Sequence, residues 1–234
     1  MTLNEVLDRA LMRAGLTETN ADHRNQARIY ANATLQDIAS RATWWFMFKE
    51  GSLSTTASTR SYALAADVGN LISFRDTSND RSLRIVNNDE PDGADPDQSE
   101  TGDPALIYII GADSSTGAPK IDIYPTPDTN SDTIKYRYYK TFPELVASND
   151  SDNLLTAHGI PLLLQHALYL GTASGILLEY GDDTSAGLNN QEMERYVFQA
   201  REQNGRMSGN RDFRLQRRDV NARFDFVVQE GSLR

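Results

Sequence analysis

The side chains able to do chemistry are three histidines and many carboxylates, with no cysteine anywhere in the 234 residues. His23, His158 and His166 do not form an H-E-x-x-H motif, the spacing that sets two imidazoles on one helical face for a metal. Ser174 stands in Ala173-Ser174-Gly175, without the preceding glycine of the strained turn that exposes a nucleophilic serine. No glycine-rich loop suits phosphates, and no dinucleotide fingerprint occurs. The lack of cysteine excludes disulfides, thiolate metal sites and thiol nucleophiles. Acids such as Asp122 and Glu179 are available to a hydrolase working with paired carboxylates, but no spacing selects them. We expect no enzyme, no catalytic residue, no metal and no cofactor.

Three other stretches stand out. Asn87–Asp103 holds Asp89, Glu90, Asp92, Asp95, Asp97, Glu100 and Asp103 without a basic residue. Its acids do not alternate ahead of Gly93 as a calcium loop requires, so a solvated acidic loop is expected. Trp44-Trp45-Phe46-Met47-Phe48 contains both tryptophans. Consecutive rings cannot all meet one ligand, so Trp44, Trp45 and Phe46 are expected to fill a corner between helices and sheet rather than to bind a sugar or base. The C-terminal stretch mixes Arg211, Arg214, Arg217, Arg218 and Arg223 with Phe213, Leu215, Phe224, Phe226 and Val227. It is too apolar for an ordinary disordered tail and reads as a docking arm, with Phe224–Val228 as a strand able to join a sheet edge.

The elements that must position these residues follow from periodicity. Thr2 and Glu5 have capping-box spacing ahead of Leu3, Val6, Leu7, Ala10 and Leu11, a helix that Gly15 stops. A second helix is expected over about 20–42, antiparallel to the first. Between about 51 and 141 the period shortens, with strands expected at Ser61–Leu64, Leu83–Val86, Leu106–Ile110, Lys120–Tyr124 and Thr133–Tyr139. Lys120–Tyr124 and Ile134–Tyr138 alternate as half-buried antiparallel strands do. Helices return after Pro143: a buried one from about Ile160 to Glu179, where Gly171 and Gly175 let another backbone approach closely, and a more polar one over about 185–204.

The expected fold is therefore α+β. A helical hairpin (1–48) and C-terminal helices (143–208) form one bundle, with a small antiparallel β domain (49–142) inserted between them in the chain and an extended arm (209–234) after them. Ile160–Leu178 carries no formal charge, but its polar and glycine positions and unanchored flanks argue for a buried helix and no membrane span. The opening Thr2-Leu3-Asn4-Glu5 lacks the features of a secretory signal, so none is expected. Net charge is −10, yet residues 209–234 hold six Arg against four acids, net +2, leaving −12 on the rest. An acidic body is unsuited to gripping nucleic acid by its phosphates.

This order of features resembles the head–tail adaptors, also called connector or neck proteins, of tailed bacteriophages. The resemblance rests on Leu3-Asn4-Glu5-Val6-Leu7, Arg28-Ile29-Tyr30-Ala31-Asn32 leading to Asp37-Ile38-Ala39, Trp44-Trp45-Phe46, Arg60-Ser61-Tyr62-Ala63-Leu64, Thr101-Gly102-Asp103-Pro104, Ile123-Tyr124-Pro125-Thr126-Pro127 and Tyr136-Arg137-Tyr138-Tyr139. It spans about 1–205 as an ordered pattern and implies no catalytic residue. It implies a structural virion protein of the neck, made in the host cytoplasm. Its copies would form a homo-oligomeric ring, commonly of about twelve, whose closure uses two different patches. The partners implied are the portal protein, reached by the C-terminal arm, a downstream tail protein, and DNA passing the lumen without sequence-specific binding. Two rival expectations are a receptor- or carbohydrate-binding tail protein using Trp44, Trp45 and the tyrosines, and an acidic hydrolase.

Overall fold

The structure, a computed structural model, describes residues 1–207 except Gln98 and Pro143, and every side chain among them except those of Asp92 and Ala94. The expected arm, with Arg211, Phe213, Arg214, Leu215, Arg217, Arg218, Arg223, Phe224, Phe226 and Val227, lies outside the described residues. The chain is a mixed α+β protein that divides into two compact units. One is Met1–Trp45 with Leu145–Arg234, as far as it is described; the other is Phe46–Glu144.

In the first unit, α1 (Leu3–Arg13) begins with the expected capping box: Glu5 N–H donates to Thr2 Oγ1 at 3.2 Å and Thr2 N–H to the Glu5 carboxylate at 3.0 Å. Two donors that a helix start leaves unpaired are thereby satisfied. Gly15 follows at φ 71°, the left-handed conformation that glycine adopts at least cost. Helix α2 (Ala21–Ser40) is capped by Asn20, which accepts the Asp22 N–H. It ends two residues short of expectation.

Three more helices occur among the described residues: a short α3 (Asp89–Ala94) in the other unit, then α4 (Leu162–Glu179) and α5 (Asp183–Met207). Helix α4 is in contact with α1, α2 and α5 and buries residues all round, among them Leu164, Leu168, Leu170, Ala173 and Ile176. A Cβ at Gly171 would overlap Thr34 of α2 and Met193 of α5, and one at Gly175 would overlap the Tyr30 ring. The space that both glycines leave is filled by side chains rather than by the second backbone that their spacing predicts. Among the described residues, no helix is long and apolar enough to cross a membrane.

The second unit is a curled sheet of seven strands: β1 (Phe48–Ser54), β2 (Ser61–Ala63), β3 (Val68–Asp76), β4 (Arg81–Ile85), β5 (Leu106–Ala112), β6 (Pro119–Tyr124) and β7 (Thr133–Lys140). Their spatial order is β1-β7-β3-β4-β5-β6-β2. Phe74, Leu83, Ile107, Ile121, Ile123, Ile134 and Tyr136 form its core. Strand β7 alternates as expected, burying Ile134, Tyr136 and Tyr138 and exposing Lys135 and Arg137.

The sheet departs from expectation in three ways. Strands β1 and β3 were absent from the sequence pattern: β1 is mostly small and polar, and β3 carries register shifts that break the two-residue period. The sheet is not wholly antiparallel, because β4 and β5 run parallel through Arg84–Leu106 and Ile85–Ile107. The long connection over 86–105 carries the chain back to the same end, as a parallel pair requires. Finally, β6 is not half-buried, since Asp122 is buried along with Ile121 and Ile123.

Candidate functional site

The acidic stretch is not a free loop. Asp89–Ala94 forms α3, and the preceding strand supplies the missing cations: Arg84 pairs with Glu90, and Arg81 with Asp103 at 2.8 Å. Both arginines sit on β4, outside the acidic run, which is why the run's own composition did not reveal them. Asp95 accepts the Glu100 N–H at 2.8 Å, and this bond, with help from Ser99, holds its carboxyl below the usual range. Glu100 accepts the Tyr124 hydroxyl, which pushes the phenol up to about 12, because ionisation would set two anions together. A bridge between Thr101 and Thr126 ties the segment to the chain beyond β6. Asp89 and Asp97 remain exposed. Among the described residues, no cluster of three or more His, Asp or Glu is arranged to hold a metal ion.

Asp122, one candidate acid, is almost fully engaged. Arg60 Nε lies 3.1 Å from its carboxylate, the Ser61 hydroxyl donates to it at 2.5 Å and the Tyr108 hydroxyl at 3.4 Å. The Arg60 guanidinium also lies over the Tyr108 ring, 5.3 Å from its centroid. Glu179 accepts the Tyr30 hydroxyl at 2.7 Å and a bond from Gln26. The two acids belong to different units. Ser174 is buried and donates to the Ala186 carbonyl at 2.9 Å.

The histidines all fall in the first unit but face different neighbours. His23 lies 3.3 Å from the Thr17 carbonyl, and His158 3.4 Å from the Asp152 carboxylate. His166 stacks on Tyr196 with centroids 5.3 Å apart and meets Tyr169 edge-on at 5.8 Å. Burial, then the charges of Arg9 and the N-terminus, lower its pKa.

The aromatic run separates ring by ring. Trp44 is 1% exposed and its indole N–H donates to the Ile38 carbonyl at 2.9 Å, so it is helical core. Trp45 is 42% exposed, and its backbone N–H donates to Asn204 Oδ1 at 2.8 Å. Phe46 belongs to the sheet unit and packs on Phe142 at 6.0 Å, while Phe48 meets Tyr139 edge-on at 5.9 Å. A buried Trp44 cannot stack on a ligand beside Trp45.

Sequence reasoning overlooked the exposed apolar side chains of the helical unit. Leu155, Leu162, Leu178, Leu188 and Phe198 are each more than half exposed. In sequence, such residues are indistinguishable from core positions of the same helices.

By its architecture the chain belongs to the mixed α+β proteins, with one helical unit, one curled-sheet unit and a buried carboxylate, Asp122, neutralised by Arg60. It is a member of the SU10 adaptor protein family, whose model matches residues 1–222. Membership makes it a phage structural adaptor protein, as the resemblance to head–tail adaptors led us to expect. The family implies a place in the virion and contact with other head or tail proteins. No curated protein matches the chain.

Proposed function

We propose that the chain is a head-to-tail adaptor whose copies close into a ring between portal and tail, with phage DNA passing through the lumen. The observation that carries this reading is the match to an adaptor family over 1–222, nearly the whole chain. Closure of a ring requires one patch of each copy to meet a different patch of the next. The exposed Leu162, Leu178, Leu188 and Phe198 of α4 and α5 are apolar area of the kind such contacts cover.

The acidic body acquires a mechanical role in this reading. At −10 per copy, a ring of about twelve would total about −120, and a negative lumen would repel phosphates so that DNA slides rather than sticks. The arm, Asn210–Arg234, would reach the portal, pairing its arginines with carboxylates. The chain acts without catalysis, and Asp122, held by Arg60, serves as a structural acid. The buried Trp44 weighs against the glycan-binding alternative.

The test is the native mass of the purified chain, alone and mixed with its cognate portal ring. About twelve copies should join each portal, and removal of residues 210–234 should abolish this while the body stays folded. A full-length chain that stays monomeric beside a competent portal would refute the reading.

A further inference from the structure

Strand β5 outruns its neighbour. Strand β4 ends at Ile85, and the parallel ladder between the two stops at Ile85–Ile107. Main-chain groups alternate sides along a strand. The Ile107 carbonyl accepts the Val86 N–H at 2.9 Å, on the β4 side, so Ile109, two residues on, turns its own N–H and C=O the same way. Among the described residues no strand meets them there, because β5 has only β4 and β6 as neighbours. Gly111 follows, and a Cβ on it would meet nothing, so the backbone beside Ile109 is bare. A strand glycine of this kind suits the close approach of a second backbone. Next to the edge lies a cleft of about 390 Å³ between β5 and β3, walled by Val68, Leu71, Ile85, Ile109, Gly111 and Pro119. Ile85 is 39% and Ile109 48% exposed, and no lysine guards these walls.

We propose that this edge is a strand-addition site for an extended, apolar segment of another protein, one that carries a basic residue. The open N–H and C=O of Ile109 call for an extended backbone, and the apolar walls for alternate side chains that fill them. About four residues, at roughly 3.3 Å each, would continue the line of β4 along Ile109–Ala112. The basic residue answers Asp113, which follows Ala112 at the end of the edge. Hydrogen bonds from Ser115 and then Thr116 hold its carboxyl well below the usual range, and neither brings a positive charge. The chain's net charge of −10 favours a cationic partner in the same sense. A second copy is a poor source of the strand: among the described residues, every strand of this chain already sits in its own sheet. That the partner belongs to the virion rests on the adaptor reading; the chemistry of the site does not.

The probe is a capped hexapeptide of alternating valine and threonine ending in arginine, added to the full-length chain and read by amide hydrogen exchange. Peptide on the order of millimolar should slow exchange of the Ile109 amide at least about tenfold and leave the β1 amides unchanged. Ile109→Asp should remove the effect, whereas Ile29→Asp, at an exposed apolar position of the helical unit, should preserve it. The same peptide with a central proline, or with glutamate in place of arginine, should protect at least about tenfold less. Asp113→Asn should erase the difference between the arginine and glutamate peptides. No protection by the arginine peptide, or equal protection by the proline peptide, would overturn strand addition. Equal protection by the arginine and glutamate peptides would overturn the basic partner. Protection that grows with protein concentration, without peptide, would assign the edge to a second copy and overturn the proposal. A failed portal-mass test beside intact peptide protection would remove the adaptor reading and leave the site standing.

Discussion

Replacing Gly51 by alanine should destabilise the sheet unit, although the same change at an open strand position stabilises. Gly51 faces Tyr136 across the β1–β7 ladder, and a Cβ there would overlap the tyrosine ring. The ring has little room to retreat: it stacks on Tyr138 at 5.5 Å and tilts against Phe74 at 5.8 Å. Its hydroxyl accepts the Ala65 N–H at 3.1 Å, so displacement also orphans a backbone donor. Overpacking costs about 1–3 kcal/mol. The lost hydrogen bond adds about 0.5–1.5 kcal/mol. Against these, replacing glycine restricts the unfolded chain and returns about 0.4–1 kcal/mol. The net is about 2 kcal/mol of destabilisation, or a melting point lower by about 10 °C for a unit of this size. Exchange of the β7 amides reads this unit. Both tryptophans lie in the other unit and report on that one. An unchanged or raised stability in Gly51→Ala would refute the account of Tyr136 as a ring laid across the edge strand.

Further outcomes follow from the same structure. Asp122→Asn should cost about 3–5 kcal/mol by leaving Arg60 buried without its anion. The double change Asp122→Leu with Arg60→Met should cost less, as urea unfolding of the three variants would reveal. Gly187→Ala, where a Cβ meets nothing, should stabilise α5 by up to about 1 kcal/mol. Gly171→Ala should destabilise by about 1–2 kcal/mol, since the overlap with Thr34 and Met193 outweighs the gain in helix propensity. His166 has a folded pKa below its unfolded value of about 6.5, so the unfolded state binds more protons. Its contribution is therefore present above about pH 6.5 and is lost as pH falls through that value toward the folded pKa. Thermal unfolding between pH 7 and 5 should be less pH-dependent in His166→Gln.

Much of the helical unit was legible because its signals are local. The Thr2–Glu5 capping box, Gly15 and the charge-free α4 each act within a few residues of themselves. Strand β7 was legible for the same reason, since one face is core and the other solvent. Strand β1 was not, because Lys49-Glu50-Gly51-Ser52 looks like a turn until Tyr136 covers Gly51 from the neighbouring strand. Asp122 looked solvent-facing because Arg60, distant in sequence, is what makes its burial tolerable. The acidic run hid its partners likewise, as Arg81 and Arg84 precede it on β4. The cleft between β3 and β5 could not be read at all, being defined by where β4 stops.

Strand β4 is also the sheet's mechanical seam. Within the strand ladder, three strands on one side (β1, β7, β3) and three on the other (β5, β6, β2) are joined only through its five residues. The joint to β5 is a parallel one of two paired positions, whereas β1 and β7 share seven. Parallel pairing is slightly weaker per residue than antiparallel. A load drawn across the sheet would therefore concentrate at Arg84–Ile85 while the longer ladders stay intact. Yielding there first would open the ladder while the apolar core shared by the two half-sheets still holds them, as an expansion joint gives between slabs that rest on one footing.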